Sequence, residues 1–178
     1  MLKVKAQCVV NAPVEKVFSY LADLKTVLEV DAKDLTVRVK KTSEGPVGVG
    51  STFRMVVSTW DESRTVEGEL FKKGVWLYQD KHVEVKELVH NRRLVYEVFD
   101  EKPRLLSLVT RNSIEVDPVA DGTRITTSRR LLFPSLLARL LYLPLHPLLT
   151  PVPWRPWDEA VEFGRIKSRV ETEESGRR

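Results

Sequence analysis

Apolar and polar residues alternate from residue 2 to residue 10, which predicts a strand with one buried face. Pro13 then stops this pattern, and proline is tolerated in the first turn of a helix, where its missing N–H costs nothing. A second short helix or turn is predicted over residues 25–30. The apolar residues that follow Pro13 recur at helical spacing and predict a helix with one buried side: Val14, Val17, Phe18, Leu21 and Leu24.

Strand-like patterns dominate the middle of the chain. Residues 61–74 fit either a strand with a bulge or a loop. The segment 117–122 is predicted to be a hairpin connection, since it ends in Asp121-Gly122, a strong turn signal. The predicted strands cover residues 35–40, 51–60, 75–88, 94–99, 105–117 and 123–133.

The C-terminal part predicts an amphipathic helix over residues 157–174, followed by a frayed tail at 175–178. One helix of that length cannot bury a whole sheet face unless the sheet curls around it. The order of elements therefore predicts one α+β domain over residues 1–174. Its curved antiparallel sheet of about seven strands would wrap around the long C-terminal helix, with two short helices after the first strand. Space for a ligand would remain between sheet and helix.

Charge and composition narrow the function. The net charge is +4, but acidic and basic residues alternate along the chain, which favours a solvated mixed surface over a nucleic-acid-binding one. The single cysteine, Cys8, lies in an apolar run and is expected to be a buried small hydrophobe rather than a reactive thiol. The N-terminal residues lack the apolar core of a secretory signal, so we expect a cytoplasmic protein. Few amides beside many Arg, Lys and Glu residues suggest a thermophilic source.

Four stretches, in order, carry a family resemblance. They are VVNAPVEKVFSYL at 9–21, KTSEGPVGVGSTF at 41–53, DGTRIT at 121–126 and PSLLARLL at 134–141. In these stretches the chain resembles the polyketide cyclase/START-like (SRPBCC) superfamily. It departs from the pattern at Leu28-Glu29-Val30, where such proteins often place a Trp, and in the longer Pro-rich stretch 144–156.

The resemblance implies a helix-grip fold with an internal cavity for a small hydrophobic ligand. The superfamily includes lipid carriers, plant hormone receptors, cyclases and co-chaperone domains. It shares a fold and a cavity but no catalytic motif, so the resemblance suggests function only by analogy.

The sequence contains no motif that indicates a cofactor site or a metal site. Gly45-x-x-Gly48-x-Gly50 has the wrong order for a dinucleotide fingerprint and lies between strands, which indicates a hairpin turn. The three histidines, His82, His90 and His146, fall on different predicted elements. We therefore predict neither a metal nor a cofactor.

The weak catalytic candidates are His82, Tyr96 and Asn112. His82 shares one face of its predicted strand with Tyr78 and Asp80, and histidine is a side chain commonly used as a general base. Tyr96 and Asn112 lie on neighbouring predicted strands. Alternatively, the His82 face is simply the solvent side of the sheet, which Glu84 and Lys86 on the same face favour. Val75, Leu77, Val83 and Val85 would then line the cavity.

A second set of residues is apolar and is expected either to line the cavity or to form plain core. The long Leu-rich segment 131–149 overlaps this set. It is interpreted as a lid over the cavity, as a surface that meets a membrane, or as a homodimer interface. The cavity candidates are Phe53, Met55, Leu77, Val83, Phe133, Leu137, Leu141 and Trp157.

Three functions remain open from the sequence. The first is binding, transport or sequestration of a small hydrophobic ligand such as a lipid or a polyketide-like molecule. The second is a cyclase- or dehydratase-like enzyme that uses His82 or Tyr96 with Asn112. The third is a module that contacts a membrane or a partner through residues 131–149.

Overall fold

The computed structural model describes residues 3–31, 35–60, 75–100, 109–133, 163–164 and 166–171. Two helices follow the first strand, α1 (Val14–Ala22) and α2 (Leu24–Leu28), and residues 163–164 and 166–171 are also helical. The described strands are β1 (Lys3–Val10), β2 (Val30–Asp31), β3 (Leu35–Lys41), β4 (Thr52–Trp60), β5 (Val75–Val89), β6 (Arg93–Asp100), β7 (Val109–Val119) and β8 (Gly122–Leu132).

The described strands form one antiparallel sheet in the order β1-β8-β7-β6-β5-β4-β3-β2. Strands β3 to β8 follow one another along the chain and across the sheet, because each pairs with the next. Helices α1 and α2 carry the chain from β1 at one edge to β2 at the other. The two-residue β2 was not predicted; the other seven strands match the predicted curved antiparallel sheet. Of the predicted helix 157–174, only residues 163–164 and 166–171 are described, so its full length stays a prediction.

One face of the sheet is buried, and we call it the inner face. Helix α1 covers it with Val17, Phe18 and Leu21, the side that helical spacing predicted. Phe163, Ile166 and Val170 pack into the same hydrophobic cluster from the C-terminal helical residues. Fully burying such a side chain stabilises a fold by roughly 1.5–3 kcal/mol, so this cluster holds sheet and helices together. The opposite face is called the outer face.

A bulge in β5 keeps its apolar residues on the inner face. The pairing of β5 with β6 shifts between Val85 and Glu87, so one extra residue is inserted there. Val85 is fully buried, and beyond the bulge Leu88 pairs with the fully buried Leu94. Without the extra residue, Leu88 would face the other side, because side chains alternate along a strand.

The β7–β8 turn is shorter than predicted. Val119 pairs with Gly122, and Pro118 still belongs to the strand, where it pairs with Thr123. A proline is accepted there because the pairing of β7 with β6 ends at Glu115, so Pro118 lies beyond that ladder and, among the described strands, has an unpaired strand edge on one side. Gly122 has φ 126°, and a Cβ at this position would lie 2.2 Å from the Val10 carbonyl oxygen of β1. Only glycine lets β1 approach so closely.

Candidate ligand site on the inner face

Three polar side chains form a row across the inner face. Tyr96 in β6 pairs with Asn112 in β7, and Asn112 pairs with Arg129 in β8. Cross-strand partners have Cβ atoms roughly 4.5–5.5 Å apart, so the three side chains are direct neighbours. We call them the inner polar row. Each lies two positions from a buried apolar residue of its own strand, namely Leu94, Ile114 and Leu131.

The inner polar row is well shielded from solvent. Tyr96 is 3% exposed and Asn112 is 7% exposed, while Arg129 is half-buried. The Asn112 amide Nδ2 donates to the Thr110 carbonyl oxygen at 3.4 Å, a long hydrogen bond. Burying polar groups is costly unless they are bonded, so such a row within an apolar face indicates a functional or structural requirement.

The same face carries an ion pair nearer the other end of β5 and β6. Lys81 and Asp100 are cross-strand partners, and the Lys81 ammonium contacts the Asp100 carboxylate. Lys81 lies two positions before the fully buried Val83, which places the pair on the inner face. Two same-face steps along a strand separate it from Tyr96, roughly 13 Å. The inner face therefore has two polar regions with apolar surface between them.

His82 lies on the outer face. Its neighbours Val83 and Val85 alternate with it and are fully buried, so His82 points away from them. The imidazole packs on Phe99 with ring centroids 4.7 Å apart. Asp80, on the same face, accepts a hydrogen bond of 2.9 Å from Nε of Arg54. The structure thus brings Tyr96 and Asn112 together but does not place His82 with them.

The apolar cavity candidates divide into three groups. Phe53 and Val83 are fully buried on the inner face, and Met55 packs against the same hydrophobic cluster. Leu77 lies in β5 opposite Thr59, and its side chain is outside the described part. Phe133, half-buried, directly follows β8. Leu137, Leu141 and Trp157 fall outside the described residues, as does the Leu-rich segment beyond residue 133.

Cys8 lies on the inner face, where it pairs with Ile125. Burial raises the pKa of its thiol to about 11, and the nearby Lys167 opposes this only in part. The thiol is therefore neutral at physiological pH and a poor nucleophile. Among the described residues, no group of His, Cys, Asp or Glu side chains could hold a metal ion.

Arg129 is the member of the inner polar row that sequence reasoning did not single out. The signal was present in the alternation of β8. With Ile125 and Leu131 on the buried face, Arg129 must share that face because it is an even number of residues from both. Flanked by Arg130 and Ser128, it looks like part of an ordinary basic surface.

The fold defines a class of protein: a curved antiparallel sheet with few helices, consistent with the helix-grip fold. The profile of the family described as polyketide cyclase / dehydrase and lipid transport matches residues 1–143. The chain belongs to this family, which confirms the resemblance seen in the sequence.

Solved structures show the same fold. A Nitrosomonas europaea protein is 17% identical, covers 98% of this chain and 97% of its own, and has a TM-score of 0.58. A Chromobacterium violaceum protein is 15% identical with the same TM-score of 0.58, and the match covers 95% of this chain and 96% of that one. A protein of the dynemicin biosynthetic locus is also 15% identical, with a TM-score of 0.50; the match covers 96% of this chain and 47% of that one.

Among proteins with curated descriptions, none matches the sequence. In the described part of the chain, no helix is long and apolar enough to span a membrane.

Proposed function

We propose that the protein binds a small hydrophobic ligand, such as a lipid or a polyketide-like molecule, between the inner face of the sheet and the C-terminal helix. Membership of a family described by polyketide cyclisation and lipid transport supports this proposal. The observation that carries it is the inner polar row of Tyr96, Asn112 and Arg129, which lies next to buried apolar residues of the inner face.

The inner polar row suggests what kind of ligand binds. The apolar body of a ligand gains roughly 25 cal/mol per Å² of surface buried against residues such as Phe53 and Val83. The Asn112 amide can donate to a ligand oxygen, and Arg129 has a charged, forked set of donors. A molecule with an apolar body and one oxygen-bearing end, a carboxylate or a carbonyl, fits both features.

A first experiment tests for a bound molecule directly. Native mass spectrometry of the purified protein, followed by solvent extraction, should reveal a co-purified apolar species at near-stoichiometric amount. A fluorescent fatty acid then serves as a probe for titration. Because a hydrogen bond to a charged group contributes about 1.5–3 kcal/mol, Asn112→Ala should weaken its binding at least about tenfold.

Ser113→Ala is the control for this titration. Ser113 is the next residue of β7 and lies on the outer face, opposite Val95 rather than Tyr96. It should leave fatty-acid affinity unchanged. An empty wild-type protein that also fails to bind the probe, or equal losses in the two variants, would refute a ligand site at the inner polar row.

An enzymatic function of the cyclase or dehydratase type is the second candidate. The juxtaposition of Tyr96 with Asn112, and of Asn112 with Arg129, favours it, because a hydroxyl, an amide and a guanidinium could together stabilise a developing enolate oxygen. The likeness to a protein from the dynemicin biosynthetic locus shows the fold alone.

Tyr96→Phe separates the enzyme from the carrier. The extracted molecule is incubated with each protein and followed by chromatography and mass. An enzyme would convert it into an isomer or a dehydrated product, and Tyr96→Phe would slow this while Tyr20→Phe, in α1, would not. A carrier would return the molecule unchanged in all three proteins.

A further inference from the structure

The outer face of the sheet carries a second polar feature, on the reverse side of the inner polar row. Val95 pairs with Ser113, Ser113 with Ser128, and Ser128 with Lys5, so a row of small side chains crosses β6, β7 and β8 and ends at β1. Longer side chains stand on both sides of this row. Together they enclose a groove of about 300 Å³, which we call the outer trench; its other lining residues are Arg93, Arg111, Glu115, Thr126 and Arg130.

Cations dominate the outer trench. Lys5, Arg93, Arg111 and Arg130 line it, against the single carboxylate of Glu115. Arg93 lies 3.6 Å from the carboxylate of Glu87 and 3.5 Å from that of Glu115. Arg111 lies 3.8 Å from the carboxylate of Glu97. Arg130 and Lys5 have no hydrogen bond or ion pair with any described residue. The trench therefore presents positive charge that the described side chains do not neutralise.

Two buried polar atoms in the outer trench lack hydrogen bonds. Ser113 Oγ, in the floor, and Arg93 Nε, in the wall, are both buried, and neither has a hydrogen-bond partner in the described structure. The carboxylate oxygen of Glu115 is 3.5 Å from Arg93 Nε, too far for a good hydrogen bond. Buried polar groups in native proteins are nearly always bonded, so two such atoms in one groove require an explanation.

We propose that the outer trench binds a phosphate group. An oxyanion would account both for the two buried atoms that lack hydrogen bonds and for the excess positive charge, because it accepts hydrogen bonds and carries negative charge. Arginines predominate, and their forked donors suit phosphate. Arg111 and Arg130 stand on one side of the small residues, and Arg93 stands on the other. The two sides are roughly 13 Å apart along the strands. Their long side chains reach in from both sides, and a tetrahedral anion with several acceptor oxygens can use donors from both.

This site is distinct from the proposed hydrophobic ligand site. The two share strands β6, β7 and β8 but lie on opposite faces, and they use alternate residues of each strand. The phosphate group could belong to a soluble molecule or to a lipid headgroup. Both sources offer the same oxygens to the same side chains.

The test begins with calorimetric titration of the full-length protein with inorganic pyrophosphate. The wild-type protein should bind it, and added salt should weaken binding. Arg130→Gln should weaken binding about tenfold to a hundredfold, the loss expected for one charge-assisted hydrogen bond. Arg124→Gln is the control, since Arg124 is exposed on the same face of β8 but does not line the trench. If both variants lost the same affinity for pyrophosphate, binding would depend only on the general positive charge of the surface, and the proposal would be overturned.

Ser113→Ala supplies a second, independent readout. Without an anion, removal of a buried and unbonded hydroxyl should leave the melting temperature unchanged or raise it. In saturating pyrophosphate, the rise in melting temperature should be smaller than in the wild-type protein. A variant whose melting temperature responds to pyrophosphate as the wild type does would contradict a role for Ser113 in binding.

The source of the phosphate is tested with vesicles. Phosphatidylcholine vesicles with and without phosphatidic acid are sedimented with the wild-type protein and with Arg130→Gln. Arg130-dependent co-sedimentation only with phosphatidic acid would assign the site to a lipid headgroup. Pyrophosphate binding without vesicle binding would assign it to a soluble phosphate. Binding of neither probe would overturn the proposal.

Discussion

The two faces of the β6–β7–β8 sheet show opposite patterns. The inner face is largely apolar and the inner polar row crosses it, whereas the outer face is charged and is crossed by one row of small residues. The two rows lie back to back in the same part of the sheet. Sequence neighbours are divided between them in three pairs: Val95 and Tyr96, Asn112 and Ser113, and Ser128 and Arg129.

One short part of the sheet can present two different chemical environments, one on each face. Since side chains alternate across a strand, neighbouring residues enter different chemical environments without any change in the backbone. Arg129 lies among buried apolar residues, whereas Arg130 is exposed in the outer trench. A variant at one position therefore has a natural control one residue away, and the predictions below use this.

The largest effect is expected where both faces depend on one residue. Gly122→Val should destabilise the fold by about 3 kcal/mol or more, because a Cβ would meet the Val10 carbonyl at 2.2 Å and the backbone has φ 126°. Strand β1 would have to move away from β8, and the ends of both rows would be disturbed. Chemical denaturation measures the loss, and both the fatty-acid probe and pyrophosphate should then bind more weakly.

Gly45→Val controls for backbone strain alone. Gly45 also has positive φ, 73°, but nothing lies within 4 Å of its expected Cβ. This variant should lose only about 1 kcal/mol and keep both binding activities. If both glycine variants lost the same stability, the close approach of β1 would not be the reason that glycine is required at position 122.

A second pair of variants compares how the two faces are packed. Val85 on the inner face is 0% exposed and Val95 on the outer face is 1% exposed, so the same truncation can be made at equal burial. Val85→Ala should lower the free energy of unfolding by about 2 kcal/mol, because the rigid cluster around Val85 cannot close the space left by the removed methyl groups. Val95→Ala should cost under about 1 kcal/mol, because its cover includes long flexible arginine side chains. Equal losses in denaturation would mean that the outer trench is packed as firmly as the core.

Much of the fold was predictable from local patterns. The strand alternation and the Asp121-Gly122 signal identified seven strands and the last hairpin, because both are properties of short segments. The bulge after Val85 was not predictable, since it depends on how β5 meets β6. Nor was β2, whose two residues carry no alternation of their own.

The candidate site was predictable only in part. Tyr96 and Asn112 were placed on neighbouring strands, but the register between β6 and β7 decides whether they meet, and neither segment alone specifies that register. His82 could be assigned to either face of its strand until the burial of Val83 was known. The outer trench depends on four strands in register, β1, β6, β7 and β8, so no single segment indicates it.

Arg129→Gln and Arg130→Gln should separate the two sites. The probes are a fluorescent fatty acid, its uncharged methyl ester and pyrophosphate. If Arg129 recognises a carboxylate, the wild-type protein should prefer the acid over the ester about tenfold, and Arg129→Gln should remove this preference. Arg130→Gln should keep the preference and lose pyrophosphate binding instead. Loss of both activities in each variant would show that the two faces do not act as independent sites.

The smallest effect concerns Cys8 on the inner face of β1. The pKa of its thiol is about 11 in the folded protein and about 9 ordinarily. Between these values the unfolded chain releases the thiol proton while the folded protein keeps it, so the folded state binds more protons and loses stability as pH rises. The stability that the protonated Cys8 thiol contributes is fully present below about pH 9. As Cys8 is half-buried, the loss should stay below about 1 kcal/mol between about pH 8 and about pH 10.

The measurement is the free energy of unfolding at both pH values for the wild-type protein and Cys8→Ala. Other groups titrate in this range in both proteins, so only the difference between the two reports on Cys8. The stability advantage of the wild-type protein over Cys8→Ala should shrink as pH rises. Gln7→Ala, one residue away on the outer face, lacks a titrating group, and its difference from the wild type should not change with pH. A constant difference for Cys8→Ala would mean that the thiol is as well solvated as the residues of the outer face.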